Sequence, residues 1–429
     1  MSRRPRPAGR EGQPARRAAL HLFRAVLEER RTLDEAEPAL DGLAPADRAR
    51  ARRLVAEAFR NLTRADALLA PHLRRTPPPA ARAALRLGTV ELAQGGAAHG
   101  VVNDWVAVVA GAGRKAAAAR GMVNAVLRKM AGEAPARWAD LPVPAMPGWL
   151  RAPVVAAWGA RVAEAIEAAH AAGAPLDLTA KGDPDALAAR LGARRLPTGS
   201  LRLPRGAQVT ALPGYAEGDW WVQDAAAALP ARALRPRPGE RVLDLCAAPG
   251  GKTLQLAAAG AEVTALDLSP ARLERVRENL ARTGLSAHLS AEDARAHAGG
   301  PYDAVLVDAP CSATGTIRRH PELPHIRDGA GLGALVELQA ALIDRAASLV
   351  APGGRLVYCA CSLLPDEGEA QAAAALARRP ELRADPAALD LPGVEPAWRG
   401  PEGLRLRPDH WLEAGGMDGF FVAAFRRVA

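Results

Sequence analysis

The sequence predicts a multidomain chain: an all-α N-terminal domain, a small α+β subdomain, and a C-terminal α/β domain on a mostly parallel sheet. Three observations predict it. Apolar residues recur at helical spacing from Arg17 to about Gly132. A Pro-rich stretch, GEAPARWADLPVPAMPGWL, then interrupts that pattern. From Pro236 onward the rhythm alternates strand, loop and helix, as parallel βαβ units do.

Residues 1–16 read as a basic flexible arm, rich in Pro, Gly and Arg without periodicity. Residues 17–132 read as helices: Leu20, Phe23 and Leu27 share one face, and Leu54, Ala58 and Leu62 repeat the spacing. Breaks fall at Asp41-Gly42, Pro77-Pro78-Pro79 and Gly95-Gly96. Residues 133–235 read as the linker and the small subdomain, with one helix over 154–171 and strand-like runs DLTA and AQVTAL. In 236–429, RVLDLC, AEVTALDLS, YDAVLVDAP and GGRLVYCACS are strands. KTLQLAAA, PARLERVRENLART and a stretch around Leu335 to Leu349 are helices. Ligands of such a sheet sit at the carboxyl ends of its strands.

The chain has 429 residues, enough for two or three cores, with 49% apolar and 24% charged residues, a globular composition. A net charge of +9 and a pI near 10.1 favour a polyanionic partner, most simply nucleic acid. The four cysteines, Cys246, Cys311, Cys359 and Cys361, are too few for a secreted disulfide scaffold. No signal-like h-region and no membrane-spanning apolar run is found. A cytoplasmic protein with reduced thiols is expected.

LDLCAAPGGKT, Leu243 to Thr253, has the look of a phosphate-binding loop. A Walker A motif requires glycine at 246, where this chain has Cys246, and the dinucleotide fingerprint also fails. Glycines at a strand-to-helix turn permit close backbone approach to a ligand without saying that the ligand is a phosphate. Asp267 ends the next strand, where an acid can accept ribose hydroxyls. Asp293, in SAEDA, follows the strand after, where polar groups can read an adenine amino group. Alone, either acid would as simply be a helix N-cap. In series they suit S-adenosylmethionine, which carries no phosphate.

Asp308-Ala309-Pro310-Cys311-Ser312 and Tyr358-Cys359-Ala360-Cys361-Ser362 end two further strands and would open on one crevice. Cys246 and Cys359 read as small buried hydrophobes. Cys311 and Cys361 each start a loop and precede a serine. Methylation of cytosine at carbon 5 needs a thiol of this kind. A thiolate adds to carbon 6, carbon 5 becomes nucleophilic and takes the methyl group, and the thiol is expelled. A second cysteine would assist proton removal or release. The residues alone do not order the two thiols.

The C-terminal half resembles the RNA 5-methylcytosine methyltransferases of the NOL1/NOP2/Sun family, through LDLCAAPGGKT, TALD, DAPCSATGTIRRHPE, YCACSLLPDEGE, WWVQDAAAAL and GGMDGFFVAAFRR. Leu85-Arg86-Leu87-Gly88, Val90-Glu91-Leu92, Val102-Asn103 and VNAVLRKM resemble a NusB-like RNA-binding domain. The order of the two is similar to that of bacterial 16S rRNA cytosine-C5 methyltransferases. The resemblance implies a Rossmann-like class I methyltransferase domain, S-adenosyl-L-methionine as cofactor, and RNA, most simply 16S rRNA, as substrate. No metal, no membrane partner and a monomer are expected. It implies cofactor contacts from Cys246, Ala247, Ala248, Pro249, Gly250, Gly251, Lys252, Asp267, Asp293 and Asp308. It implies Cys361 as nucleophile and Cys311 as the residue of release or proton removal. Two positions depart from the family pattern: Ala360 stands where Thr is usual, and Ala313 where Gly is usual.

Arg318, Arg319 and His320 follow the Cys311 loop and are candidates to hold phosphate beside a flipped base. Arg48, Arg50, Arg52 and Arg53 offer a basic helix face. Two other classes are weighed against the methyltransferase: a P-loop-like ATPase using Lys252 and Asp308, and a non-catalytic RNA-binding or assembly factor.

Overall fold

The structure, a computed structural model, describes residues 12–428. It divides into two compact units: residues up to Pro147 together with Arg319–Asp328, and Gly148–Arg318 together with Gly329–Ala429. Most of the expected N-terminal arm lies outside the described residues. Its last residues do not: Gln13–Glu29 is already helix, with proline in its first turn, where a missing N–H is harmless.

The first unit is helical. Gln13–Glu29, Pro45–Arg60, Leu62–Leu69, Pro79–Ala93, Ala98–Ala110 and Arg120–Arg137 are its main helices. Pro79–Ala93 is the central one, buried along most of its length. Gly88 lets it approach its neighbours, since a Cβ there would lie 2.9 Å from Leu127 and 3.1 Å from Trp105. Arg120–Arg137 runs past the expected boundary at 132 and carries Pro135 in its last turns. Buried Arg16 joins three helices through Glu91 and Asp104. Arg48, Arg50 and Arg52 pair with Asp41, Glu91, and Asp34 and Glu37. The segment 319–328 packs into this unit: Glu322 accepts from the Leu33 N–H, and His325 meets the Phe59 carbonyl.

The second unit holds two sheets. In the smaller, β1 (Leu176–Ala180), β2 (Arg194–Arg195), β3 (Leu201–Leu203) and β4 (Trp220–Val222) are antiparallel, in the order β2-β3-β1-β4. The expected strand AQVTAL is instead a 3₁₀ turn, Val209–Ala211, between Gly206 and Pro213. The expected helix over 154–171 is two helices, Gly148–Trp158 and Ala160–Ala172, parted at Gly159 with φ +86°.

The larger sheet contains β5 (Arg241–Leu245), β6 (Glu262–Asp267), β7 (His288–Ala291), β8 (Tyr302–Asp308), β9 (Val350–Ala360), β10 (Leu382–Ala384), β11 (Leu404–Leu406) and β12 (Phe420–Arg427). Its order is β10-β12-β9-β8-β5-β6-β7, with β11 on β12. The five strands from β9 to β7 are parallel, and β12, β10 and β11 are antiparallel additions at one side. Val242, Leu243, Leu245, Val305, Leu306 and Val307 are fully buried, as strands covered on both faces require. Among the described residues, no helix is long and apolar enough to cross a membrane.

Candidate active site

The loop after β5 turns at Cys246, whose φ is +62°. This is the position where a P-loop has its first glycine, so the left-handed conformation is kept although the residue is not glycine. Gly250, at φ +102°, starts the helix Gly251–Ala258, and a Cβ there would lie 3.0 Å from Val276. The loop therefore presents backbone rather than side chains.

Carboxylates surround it. Asp244 is fully buried and takes a 2.6 Å hydrogen bond from Thr253 Oγ1. Among the described residues, its Oδ1 has no partner. Burial pushes its carboxyl up to about 7, helped by the Asp308 charge, against the Thr253 hydrogen bond. Asp267 accepts from the N–H groups of Ala248 (3.2 Å) and Ser269 (3.0 Å). Asp308 pairs with Lys252 Nζ at 2.7 Å, and its other oxygen lies 3.4 Å from Cys359 Sγ. Burial and then the charges of Asp308, Asp267 and Asp244 push the Cys246 thiol up to about 12, an inert thiol. Asp293 lies apart from this group, partly exposed and bound to its neighbour Arg295, which holds its carboxyl below the ordinary range.

Lys252 reaches across from the loop to the end of β8, 5.2 Å from the centre of the Phe420 ring. Burial is the largest influence and disfavours the ammonium, but the Asp308 charge and hydrogen bond, together with the neighbouring cysteines, outweigh it and hold Lys252 charged. A triphosphate would thus meet Asp244, Asp267 and Asp308, with the loop's lysine already neutralised. The same acids suit the cationic sulfonium and the hydroxyls of S-adenosylmethionine, so the residues present fit that group and not an ATPase site.

At the ends of β8 and β9 the two candidate thiols meet. Cys311 Sγ and Cys361 Sγ are 3.3 Å apart, and both cysteines are partly buried and free. The hydrogen bond with Cys361, then burial, push the Cys311 thiol well up and favour its neutral form. Cys359 is fully buried and also held as a thiol by its burial. The loops are joined by Gly315 N–H to the Cys361 carbonyl at 3.0 Å. Ala313, the departure from the family's glycine, sits at φ +58°.

Arg318 is a correction. Far from facing phosphate, it is fully buried and donates to Asp224 (2.6 Å), Asp418 (3.0 Å) and the Gly415 carbonyl (2.7 Å). A planar guanidinium can satisfy three directions at once, and two buried carboxylates demand a buried cation. Arg318 thus binds the WWVQD and GGMDGFF segments together. Arg319 is exposed, and His320 Nδ1 lies 3.6 Å from Glu322. Sequence reasoning also missed Glu367, a fully buried acid that receives hydrogen bonds from both cysteine loops. Its only sequence signal was an acid shortly after Cys361-Ser362.

Fold and loop chemistry define the class: an S-adenosylmethionine-dependent methyltransferase with a Rossmann-like domain. Residues 231–426 match the model of the 16S rRNA methyltransferase RsmB/F family, and residues 13–132 match the NusB family. The chain is 38% identical to ribosomal RNA small subunit methyltransferase B of Pseudomonas putida, over 96% of this chain and 98% of that protein. It is 36% identical to the protein of the same name from Thermus thermophilus, over 89% of each. A crystal structure of a methyltransferase homolog from Pyrococcus horikoshii superposes with a TM-score of 0.56 at 29% identity, covering 65% of this chain and 94% of that one. The chain belongs to the ribosomal RNA small subunit methyltransferase B family.

Proposed function

We propose that this chain transfers a methyl group from S-adenosyl-L-methionine to carbon 5 of a cytosine in 16S rRNA, through a covalent bond between Cys361 and the base. The observation that carries this reading is the pair of thiols 3.3 Å apart at neighbouring strand ends, beside a carboxylate-lined loop. The substrate named for its relatives, small-subunit rRNA, supports the choice of RNA.

Cys361, as thiolate, adds to carbon 6 of the cytosine and leaves carbon 5 nucleophilic. S-adenosylmethionine supplies the methyl group that carbon 5 takes. Loss of the carbon 5 proton to solvent water then returns the bonding electrons to Cys361 sulfur. Cys311, kept neutral by its surroundings, donates its S–H to that departing sulfur and so favours release. Backbone at Cys246, Ala247, Ala248, Pro249, Gly250 and Gly251 would hold the methionine end of the cofactor. Asp267 would take the ribose hydroxyls and Asp293 the adenine amino group, and Lys252 and Asp308 would contact the cofactor as well. The NusB-like unit and Arg319 and His320 contribute RNA contacts. The chain works in the cytoplasm as a monomer.

Bisulfite sequencing of 16S rRNA from cells with and without the gene tests this reading. One cytosine protected only when the gene is present is expected. An identical protection pattern in both contradicts it.

A further inference from the structure

We infer that Glu367 is the positioning residue of the two-thiol site: its carboxylate fixes Ser312 and Ser362, the residues that follow Cys311 and Cys361, and so sets the spacing of the sulfurs. The inference deepens the methyltransferase reading and rests on it.

Glu367 ends the 3₁₀ turn Pro365–Glu367 and is fully buried. Its Oε1 accepts from the Ser312 N–H at 2.8 Å and from Gln339 Nε2 at 3.0 Å. Its Oε2 accepts from Ser312 Oγ and Ser362 Oγ, each at 2.5 Å. Four donors converge on two oxygens, so the charge is fully solvated by protein, the condition under which a buried carboxylate is tolerated. Two of the donors belong to the loop after β8 and one to the loop after β9. The fourth, Gln339, also donates to the Pro310 carbonyl at 2.9 Å, just before Cys311.

Neighbouring groups make the clasp rigid. Thr314 Oγ1 lies 3.1 Å from Ser312 Oγ and 3.2 Å from Ser362 Oγ, and accepts from the Leu363 N–H at 2.9 Å. Tyr358 donates to the Glu367 carbonyl at 2.6 Å, anchoring the turn to β9. Among the described residues, the Glu367 carboxylate hydrogen-bonds to serines and a glutamine and not to either sulfur, so it acts through the serines. Its charge also adds, behind the Cys361 contact and burial, to the influences that keep Cys311 neutral.

A carboxylate is required because the donors sit on both oxygens. Glutamine in its place keeps the packing but supplies one acceptor oxygen, and its amide N–H groups would face existing donors. Part of the clasp is then unmet, and the two loops are free to separate.

The test uses phenylarsine oxide on the full-length protein. Its As(III) centre forms two As–S bonds when two thiols stand close enough to share one atom. The two S–H protons and the arsenical oxygen leave as water, and no oxidant is needed. The wild type is expected to bind one equivalent in the presence of excess monothiol, and Cys361→Ala to lose that binding. Glu367→Gln is expected to bind at least tenfold more weakly, with kcat down at least tenfold and cofactor affinity within twofold of wild type. Ser312→Ala, which leaves the carboxylate in place, is expected to shift both readouts a fewfold the same way, and carries the test if Glu367→Gln does not fold. A residue that only stabilises the fold would lower the melting temperature and leave arsenical binding by the folded protein unchanged. Arsenical affinity equal to wild type in Glu367→Gln overturns the inference, whatever the turnover. Because arsenical binding needs no RNA, that outcome is distinct from failure to methylate rRNA.

Discussion

Replacing Arg318 by alanine is expected to be among the most damaging single changes in the second unit. Arg318, Asp224 and Asp418 have side-chain exposures of 0%, 2% and 0%. Truncation leaves two carboxylates in the interior with their guanidinium gone, and frees the Gly415 carbonyl as well. Removing one partner of a buried ion pair costs on the order of 3–5 kcal/mol. Here two buried acids lose the same cation, so the upper end applies, against a typical domain stability of about 5–15 kcal/mol. Arg318→Lys is expected to recover only part of the loss, because an ammonium cannot span three acceptors in a fork. Urea denaturation followed by circular dichroism measures the change. A loss below about 1 kcal/mol in Arg318→Ala, with weakened RNA binding, would refute the structural role and restore the phosphate contact.

Ala313→Gly is expected to stabilise the protein by about 1 kcal/mol, since φ +58° strains any residue with a Cβ. A thermal melt reads it as a rise of about 2 °C. Asp244 gives a pH signature. Its folded pKa is raised from 3.8 to about 7, so the folded state favours the protonated acid. Its contribution is therefore full below pH 3.8 and is lost as pH rises toward 7, a span worth on the order of 4 kcal/mol. Asp244→Asn should flatten that decline in denaturation curves taken from pH 4 to 8. A wild type that does not lose stability relative to Asp244→Asn over that range contradicts the assignment. Cys361→Ala should abolish methyl transfer, by more than a thousandfold, while calorimetry still detects S-adenosylmethionine binding. Turnover near wild type would remove the nucleophile.

The features legible in the sequence were those fixed by local pattern. The βαβ rhythm put Cys246, Asp267, Asp308 and Cys361 at strand ends, and a parallel sheet brings such ends together. The missing glycine at 246 was legible too, though not that Cys246 would keep a glycine-like φ of +62°. What the sequence hid depends on distant partners. Arg318 reads as one of three exposed basic residues until Asp224 and Asp418, 94 and 100 residues away, close on it. Glu367 reads as one acid in PDEGE until Ser312, 55 residues earlier, turns toward it. Short runs misled where two patterns competed. AQVTAL alternates like a strand but lies between Gly206 and Pro213, which bend it into a turn. The run over 154–171 reads as one helix because its apolar spacing continues across Gly159, where the chain in fact breaks.

The central claim is that Cys361 bonds to the cytosine while Cys311 frees it. The most direct measurement is mass spectrometry of Cys311→Ala after turnover with 16S rRNA and S-adenosylmethionine, taken from the band that survives a denaturing gel. The expected result is a protein–RNA adduct whose modified peptide carries the nucleotide on Cys361. Absence of any adduct with turnover intact, or an adduct on another residue, would contradict it.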